Sequence, residues 1–449
     1  MELELFETNF VQIDELENYL INLEKEHKKI NEETFCELTK NINISFSIEN
    51  CSRLLSHHIC ESLDSYTQQS QRYVKMGKDA FILPKEIEES EFNEEYINLN
   101  EEIFEFYNKI SEMKEGFSGR KATENDYKYG IKIEDARYIL PLSTKTNIFV
   151  TLNFSKIINF FIKIKRMQTN ESEELLEKII SKFPNQIKQQ ILNKSECKLQ
   201  EKIIENYYKT QFEKINDVEN CVLLNNFNDL IERTGLGALT STNALGASEI
   251  KKDWIKNNFD IIEKTKSVTE RVLGYNHTSI IEHARTTFGL MMSLTCYHQF
   301  ERHRLSNNVR EEFNKIEINR NIIIPESIKR NKEILEEFKK IIDKVKILRK
   351  KLEANGNKQE YLLLNCDLIK IINSTNARID NEVMKERTCN NAQWEIRQLY
   401  EKKLISLKKL AQIIYDQAGP PCTKGPCPEG KLTCGRIIEM REKYNSKLN

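Results

Sequence analysis

Along most of the chain the apolar positions recur at helical spacing. LENYLINLEKEHKKI (residues 16–30) and LEEFKKIIDKVKILRKKLE (335–353) set Leu, Ile, Val and Phe three and four apart among Lys and Glu. That pattern predicts amphipathic helices with one buried stripe and one solvated face. Three stretches break it: INISFSIENCSRLL (42–55), RYILPLSTKTNIFVTLN (137–153) and YLLLNCDLIKIINSTN (361–376) mix β-branched and aromatic residues with turn formers. They predict strands, and the mixture makes α+β the expected class. In HTSIIEH (277–283), Ser279 and Glu282 have capping-box spacing, so a helix is expected to start at Ser279 and run into the apolar stretch FGLMMSLTCY (288–297).

The order of these elements recurs. A helical connector, about Asn170 to Ile215 with a break at Pro184, separates two regions. In each, an apolar segment leads into a polar cluster, a Lys/Glu-rich helical insertion, a β-like stretch and a helix. TLNFSKIINFFIKIK overlies STNARIDNEVMKERT, matching Asn153 with Asn376. The expectation is an internal duplication: a first repeat at 1–215, a second at 216–418, and a Cys/Gly/Pro-rich tail at 419–449.

Length and charge narrow the class. A chain of 449 residues is long enough for two cores, and its formal net charge of −1 gives no global field for nucleic acid or an anionic membrane. The first residues, MELELFETNF, are acidic and lack the segments of a signal peptide, and Lys, Asn or His interrupts the apolar runs before a membrane span is reached. The reading is a soluble cytoplasmic protein acting on small molecules, without nucleic-acid or membrane partners. Its 11 cysteines, mostly scattered singly, read as reduced thiols.

Four of the seven histidines, His277, His283, His298 and His303, share one short window. Their spacing does not give the i, i+4 pair that presents two imidazoles to one metal. His277 falls outside the expected helix start, and taken alone the two read better as the end of a loop and a satisfied core histidine than as functional groups. The adjacent Arg302, His303 and Arg304 suit an anionic ligand, since guanidinium groups make bidentate, charge-assisted bonds to phosphate. A surface cluster paired with Glu301, Glu311 and Glu312 is the competing reading.

HTSIIEH, QFERHR and RTCNNAQWEIR, taken in order, resemble the flavin-dependent thymidylate synthase (ThyX) family. The family's Ser, Arg and Tyr after Arg-His-Arg are replaced by Glu312, Asn314 and Lys315. The first region supplies them: SRLLSHHICESLDSYTQQSQRYV resembles the same element with Ser70, Arg72 and Tyr73, while Cys60, Glu61 and Ser62 stand for Arg-His-Arg. EDARYILP keeps the family's early Arg as Arg137, where the second region has about Glu360; the late Arg is present as Arg387 and falls near Ile164 in the first. Each half has lost what the other retains.

The resemblance implies two units, each a twisted antiparallel sheet with helices, packed as a pseudo-dimer, and a homodimer of fused chains mimicking the family's homotetramer. It implies reductive methylation of dUMP to dTMP through FAD, with NADPH and methylenetetrahydrofolate as co-substrates. By the same carry-over, Gln68, Ser70, Arg72, Arg137, Gln299, Arg302 and Arg387 would bind dUMP, with backbone amides around Gln69 and Ser70 as further donors. Ser279, Arg302, His303, Arg304, Asn376, Arg378, Asn153 and Asn159 would bind FAD, and Arg387 and His277 would serve catalysis. A nucleotide-binding relative without turnover, or a flavoenzyme for another pyrimidine nucleotide, are the alternatives; Glu382, where the family often has Asn, bears on them. In the tail, Cys422, Cys427 and Cys434 are candidate zinc ligands, with Cys389 as a fourth if the fold brings it near, against a turn-rich tail of free thiols.

Overall fold

The computed structural model describes residues 1–6, 10–61, 64–113, 130–196, 201–225 and 229–445. Within them the chain forms two compact units. The first is built from Met1–Phe117, Glu124–Glu201 and Phe313–Asp367, the second chiefly from Lys202–Glu312 and Leu368–Asn449, so far as these residues are described. The arm Phe313–Asp367, which carries the helical insertion of the second repeat, is thus part of the first unit.

Each unit holds one four-stranded antiparallel sheet. In the first, β1 (Glu2–Phe6), β2 (Asn43–Ser52), β3 (Ser65–Gln68) and β4 (Lys145–Asn153) lie in the order β1-β2-β4-β3. In the second, β5 (Cys221–Asn225), β6 (Arg285–Ser293), β7 (Asn307–Arg310) and β8 (Leu368–Asn376) lie in the order β5-β6-β8-β7. The alternation that predicted β4 is real: Thr146, Ile148, Val150 and Leu152 are buried, and Phe149 between them is exposed.

The two sheets correspond in strand order and, on either side of a bulge in β2 between Ile48 and Cys51, in register. Ser45 pairs with Thr151 and their hydroxyls meet at 2.8 Å; Thr287 pairs with Ser374, and these hydroxyls also meet at 2.8 Å. Asn153 ends β4 and its side chain accepts from Ser155 N; Asn376 ends β8 and accepts from Ile379 N. Ser52 caps the helix Arg53–Cys60, and Glu171 clamps it by accepting from both its N–H and its hydroxyl, at 2.6 Å each. Ser293 caps the helix Leu294–Phe300, and Glu395 clamps it the same way, at 2.7 and 2.5 Å. Shared topology, register, caps and clamps bear out the duplication.

Two expectations fail. The segment Thr278–His283 is a 3-10 helix without a side-chain cap, and the residues after it form β6. β6 is buried from Thr286 to Ser293, so a strand covered on both faces had read as a continuous apolar helix. His283 is exposed, packed against Gly237, where a Cβ would lie 2.6 Å from the imidazole. Gly235, two residues earlier, lets the helices Leu230–Thr240 and Ile261–Gly274 touch: a Cβ there would meet the Thr265 side chain at 2.5 Å. The cap alignment also moves the comparison by one residue. Counting from Ser52 and Ser293, Glu61 stands opposite Arg302, with Ser62 and Leu63, outside the described residues, opposite His303 and Arg304.

The connector is helical as expected: Asn170–Ser181, Asn185–Lys194 starting at Pro184, and Glu201–Glu213. Within the first unit, the insertion helices Asn93–Ser111 and Lys332–Ala354 pack antiparallel. Phe106 meets Phe338 edge to face, and Lys109–Glu337, Lys344–Glu102 and Lys351–Glu95 are paired along the seam.

Candidate active site

In the first unit β3 runs into a turn, 70–74, in which the amides of Tyr73 and Val74 donate to Ser70 O and the Arg72 amide donates to Ser70 Oγ at 3.2 Å. The Gln69 amide, expected to be available to a ligand, instead donates to Asn147 O at 2.9 Å. Arg72 Nε pairs with Glu134 at 2.9 Å, and its guanidinium lies 5.6 Å from the Tyr73 ring centre. Arg137 is 1% exposed; its Nε donates to Glu134 O at 3.1 Å. Burial pulls its pKa down, opposed by Tyr138 and Glu134. Its Nη2 is buried and meets no partner among the described residues. Arg349, equally buried in the same unit, has its donors engaged by Gln359 Oε1, Ile316 O and Asp367. Arg349 is thus satisfied within the unit, whereas Arg137 has one buried donor unmatched among the described residues. Gln68 donates to Ser56 Oγ, leaving its Oε1 buried without a partner among the described residues, and Gln71 Nε2 is in the same state.

The other expected residues of this unit differ in character. Asn153 is committed: it accepts from Ser155 and donates to Lys40 O and Asn43 Oδ1. Asn159 is exposed on the helix Ile157–Lys165, at the position that Glu382 holds in the second repeat.

In the second unit the clamped helix Leu294–Phe300 delivers Gln299, Arg302 and His303 at its end. His298 Nδ1 lies 3.0 Å from Glu301 Oε1, and Arg302 Nη2 approaches His298 Nε2 at 3.4 Å. With Nδ1–H facing the carboxylate, Nε2 is the acceptor for Arg302. Glu301 is therefore buried as part of this arrangement, and Arg302 remains exposed. Arg387 Nε donates to His303 Nε2, and Arg387 Nη2 reaches Gln299 O at 3.5 Å. Burial first, then the charges of Arg387, Lys403 and Arg302, hold His303 well below the ordinary imidazole range, so it accepts as the neutral ring. Gln299 Nε2 is buried and without a partner among the described residues. His277, just before the 3-10 turn, and Ser279 within it are exposed, Arg304 is half-buried, and Arg378 pairs with Glu282 at 2.6 Å.

Below this cluster Lys403 pairs with Asp380 at 2.7 Å, fully buried, and donates to Asn373 Oδ1. The corresponding positions of the first repeat are Ile179 and Ile157, both buried. The sequence reading missed this pair, and a lone Lys in a helix gives no sign of burial. It also missed the Glu171 and Glu395 clamps, which aligning the repeats on Ser52 and Ser293 would have found.

The tail is held by Arg441, which donates to Cys422 O and Gly425 O, and by Asn391, which donates to Leu432 O. Cys389 lies within the electrostatic reach of Cys422 and Cys434. Among the described residues, no three of Cys389, Cys422, Cys427 and Cys434 bring their sulfurs within 4.8 Å of one another.

Fold and side chains together define a duplicated α+β protein whose two repeats share strand order, caps and clamps. A family model described as "Thymidylate synthase complementing protein" (Thy1) matches residues 16–187 and 233–411, one segment in each repeat. The chain belongs to this family. It is 33% identical over 223 residues to the flavin-dependent thymidylate synthase of Clostridium tetani, covering 44% of this chain and 86% of that protein. The enzymes of the same name from Thermococcus kodakarensis (37% over 176 residues; 36% and 72%) and Pyrococcus furiosus (33% over 209 residues; 43% and 86%) are similar to it as well. Each of these relatives matches less than half of this chain, in keeping with a tandem duplication.

Proposed function

We propose that the chain is a flavin-dependent thymidylate synthase, converting dUMP to dTMP, and that its one complete set of ligand-binding residues is divided over the two repeats. The observation that carries the reading is complementary loss in matched register. β3 and β7 set Ser70, Arg72 and Tyr73 opposite Glu312, Asn314 and Lys315. β4 and β8 set Arg137 opposite Glu360 and, in the other direction, Arg387 opposite Ile164. Independent decay of both repeats would not leave one full set.

In this reading Arg72, Arg137, Ser70 and Gln68 hold the phosphate and sugar of dUMP, and Gln299, Arg302 and Arg387 the pyrimidine. His277, Ser279, Arg302, His303, Arg304, Asn376 and Arg378, with Asn159, serve FAD, whereas Asn153 is taken up by its cap and its bonds to Lys40 O and Asn43. The second unit fits such a group: Arg302, which would serve both ligands, offers an exposed guanidinium, and His303 a neutral ring. When bound, FAD supplies reducing equivalents from NADPH for the one-carbon unit that methylenetetrahydrofolate donates. Arg387 places a fixed positive charge against the pyrimidine, stabilising the anion at the ring nitrogen and strengthening the carbon nucleophile; its guanidinium is oriented beforehand by His303 and Gln299 O. The repeats at 1–215 and 216–418 are thus the phosphate half and the flavin half, with 419–449 an accessory tail, in a pseudo-dimer that associates as a homodimer in the cytoplasm.

The test is to incubate the purified chain with dUMP, methylenetetrahydrofolate, FAD and NADPH and measure dTMP. Formation of dTMP is expected. Binding of FAD and dUMP with no dTMP would overturn the reading in favour of a binding protein or an enzyme for another pyrimidine.

A further inference from the structure

No motif pointed to Asn365, yet it sits at the centre of the phosphate half. It is 3% exposed and lies in the arm that the second repeat contributes to the first unit. Its backbone N–H donates to Leu140 O at 2.8 Å, and its Nδ2 donates to Gln71 Oε1 at 3.1 Å and to Arg137 O at 2.9 Å. An amide whose oxygen is held can present its nitrogen in only one sense, so Asn365 fixes which end of Gln71 faces away. What faces away is Gln71 Nε2, buried and unmatched, like Nη2 of Arg137, the other residue Asn365 holds. Two orphan donors on the two partners of one side chain are costly in an empty fold and useful to a bound anion.

Register sharpens the point. The counterparts of Gln71, Arg137 and Asn365 are Phe313, Glu360 and Leu142. None of the three can play the same part: the ring has no amide, the carboxylate repels an anion, and Leu cannot donate. The trio is complete in one combination and absent in the other, as with the residues that face the ligand.

We propose that Asn365 is a positioning residue for the nucleotide phosphate, holding the Gln71 amide and the Arg137 backbone so that Gln71 Nε2 and Arg137 Nη2 are presented to phosphate oxygens. This rests on the functional reading above and extends the phosphate site to Gln71 and, behind it, to Asn365.

The experiment compares FAD-loaded wild type with Asn365→Leu, which installs the residue found in the other repeat. Dissociation constants are measured for dUMP and for deoxyuridine, which lacks the phosphate. dUMP binding is expected to weaken roughly tenfold, the scale of a lost charge-assisted bond. Deoxyuridine binding and the flavin absorption spectrum should not change, and KM should rise while kcat holds. Gln71→Leu should weaken dUMP to a similar degree, and the double variant should be no worse than either single one. If Asn365→Leu does not fold, Asn365→Ser and Gln71→Leu carry the same comparison. Unaltered dUMP binding, or equal losses for dUMP and deoxyuridine, would overturn the positioning role while leaving the synthase reading intact. Failure of the wild type to bind dUMP at all would remove both.

Discussion

Arginines in this chain are told apart by what their nitrogens meet. Arg349 has its nitrogens engaged and holds up the arm; Arg137 has one buried nitrogen unmatched among the described residues. Arg387 is held at two points, by a histidine kept neutral and by a backbone carbonyl, so its charge is fixed before any ligand arrives. Substituting it by Gln should therefore act on the rate of the chemical step. About 3 to 4 kcal/mol of transition-state stabilisation, two to three decades in kcat, is the expected loss. Single-turnover measurement of dTMP formation with the flavin spectrum unchanged is the check, and a loss confined to KM would refute the role. Arg387 and Arg302 to Arg304 were legible in the sequence because their chemistry is written in their identity. Gln71, Asn365, Glu395 and Lys403 were not, since an amide or a carboxylate gains its meaning from the partner that folding supplies.

Elements follow the same division. β2, β4 and β8 were readable from alternation or β-branched runs, whereas β6, buried on both faces, carried no period to distinguish it from a helix. The insertion helix Lys332–Ala354 was readable as a helix but not as a partner. Its apolar stripe, Ile334, Phe338, Ile341, Ile342, Val345, Leu348 and Leu352, is buried in the first unit. The seam with Asn93–Ser111 sets Glu95 and Glu102 against Lys351 and Lys344. Each pair is half-exposed and worth little alone, roughly 0.2 to 1 kcal/mol. Reversal is more telling than deletion, because like charges replace attraction with repulsion. E95K/E102K and K344E/K351E should each lower the first thermal transition by a few degrees at low salt, a change of about 1 to 2 kcal/mol. The fourfold variant should recover most of the loss, and added salt should shrink the differences. No recovery in the fourfold variant would mean that the apolar stripe alone specifies the pairing.

At the scale of the whole molecule, the duplication explains both what was kept and what was lost. The features present in both repeats are architectural: the strand order, the paired hydroxyls of Ser45–Thr151 and Thr287–Ser374, and the serine caps with their glutamate clamps. The features present once include most of those that would meet a ligand, together with the buried Lys403–Asp380 pair. Selection on the fold acts on each repeat, because each must bury its own sheet; selection on binding acts only on residue sets that are complete. Glu312, Glu360 and Phe313 stand at the positions of Ser70, Arg137 and Gln71; Glu312 already occupies Arg310 at 3.1 Å, and a phosphate placed against the two carboxylates would meet repulsion. The chain should accordingly bind one dUMP and one FAD each, where two unspecialised repeats would bind two. Equilibrium titration of a chain quantified by amino-acid analysis measures this directly. A stoichiometry near one, abolished for dUMP by Arg72→Ala alone, is expected; a value near two would mean that Glu312 and Glu360 do not disable the second set.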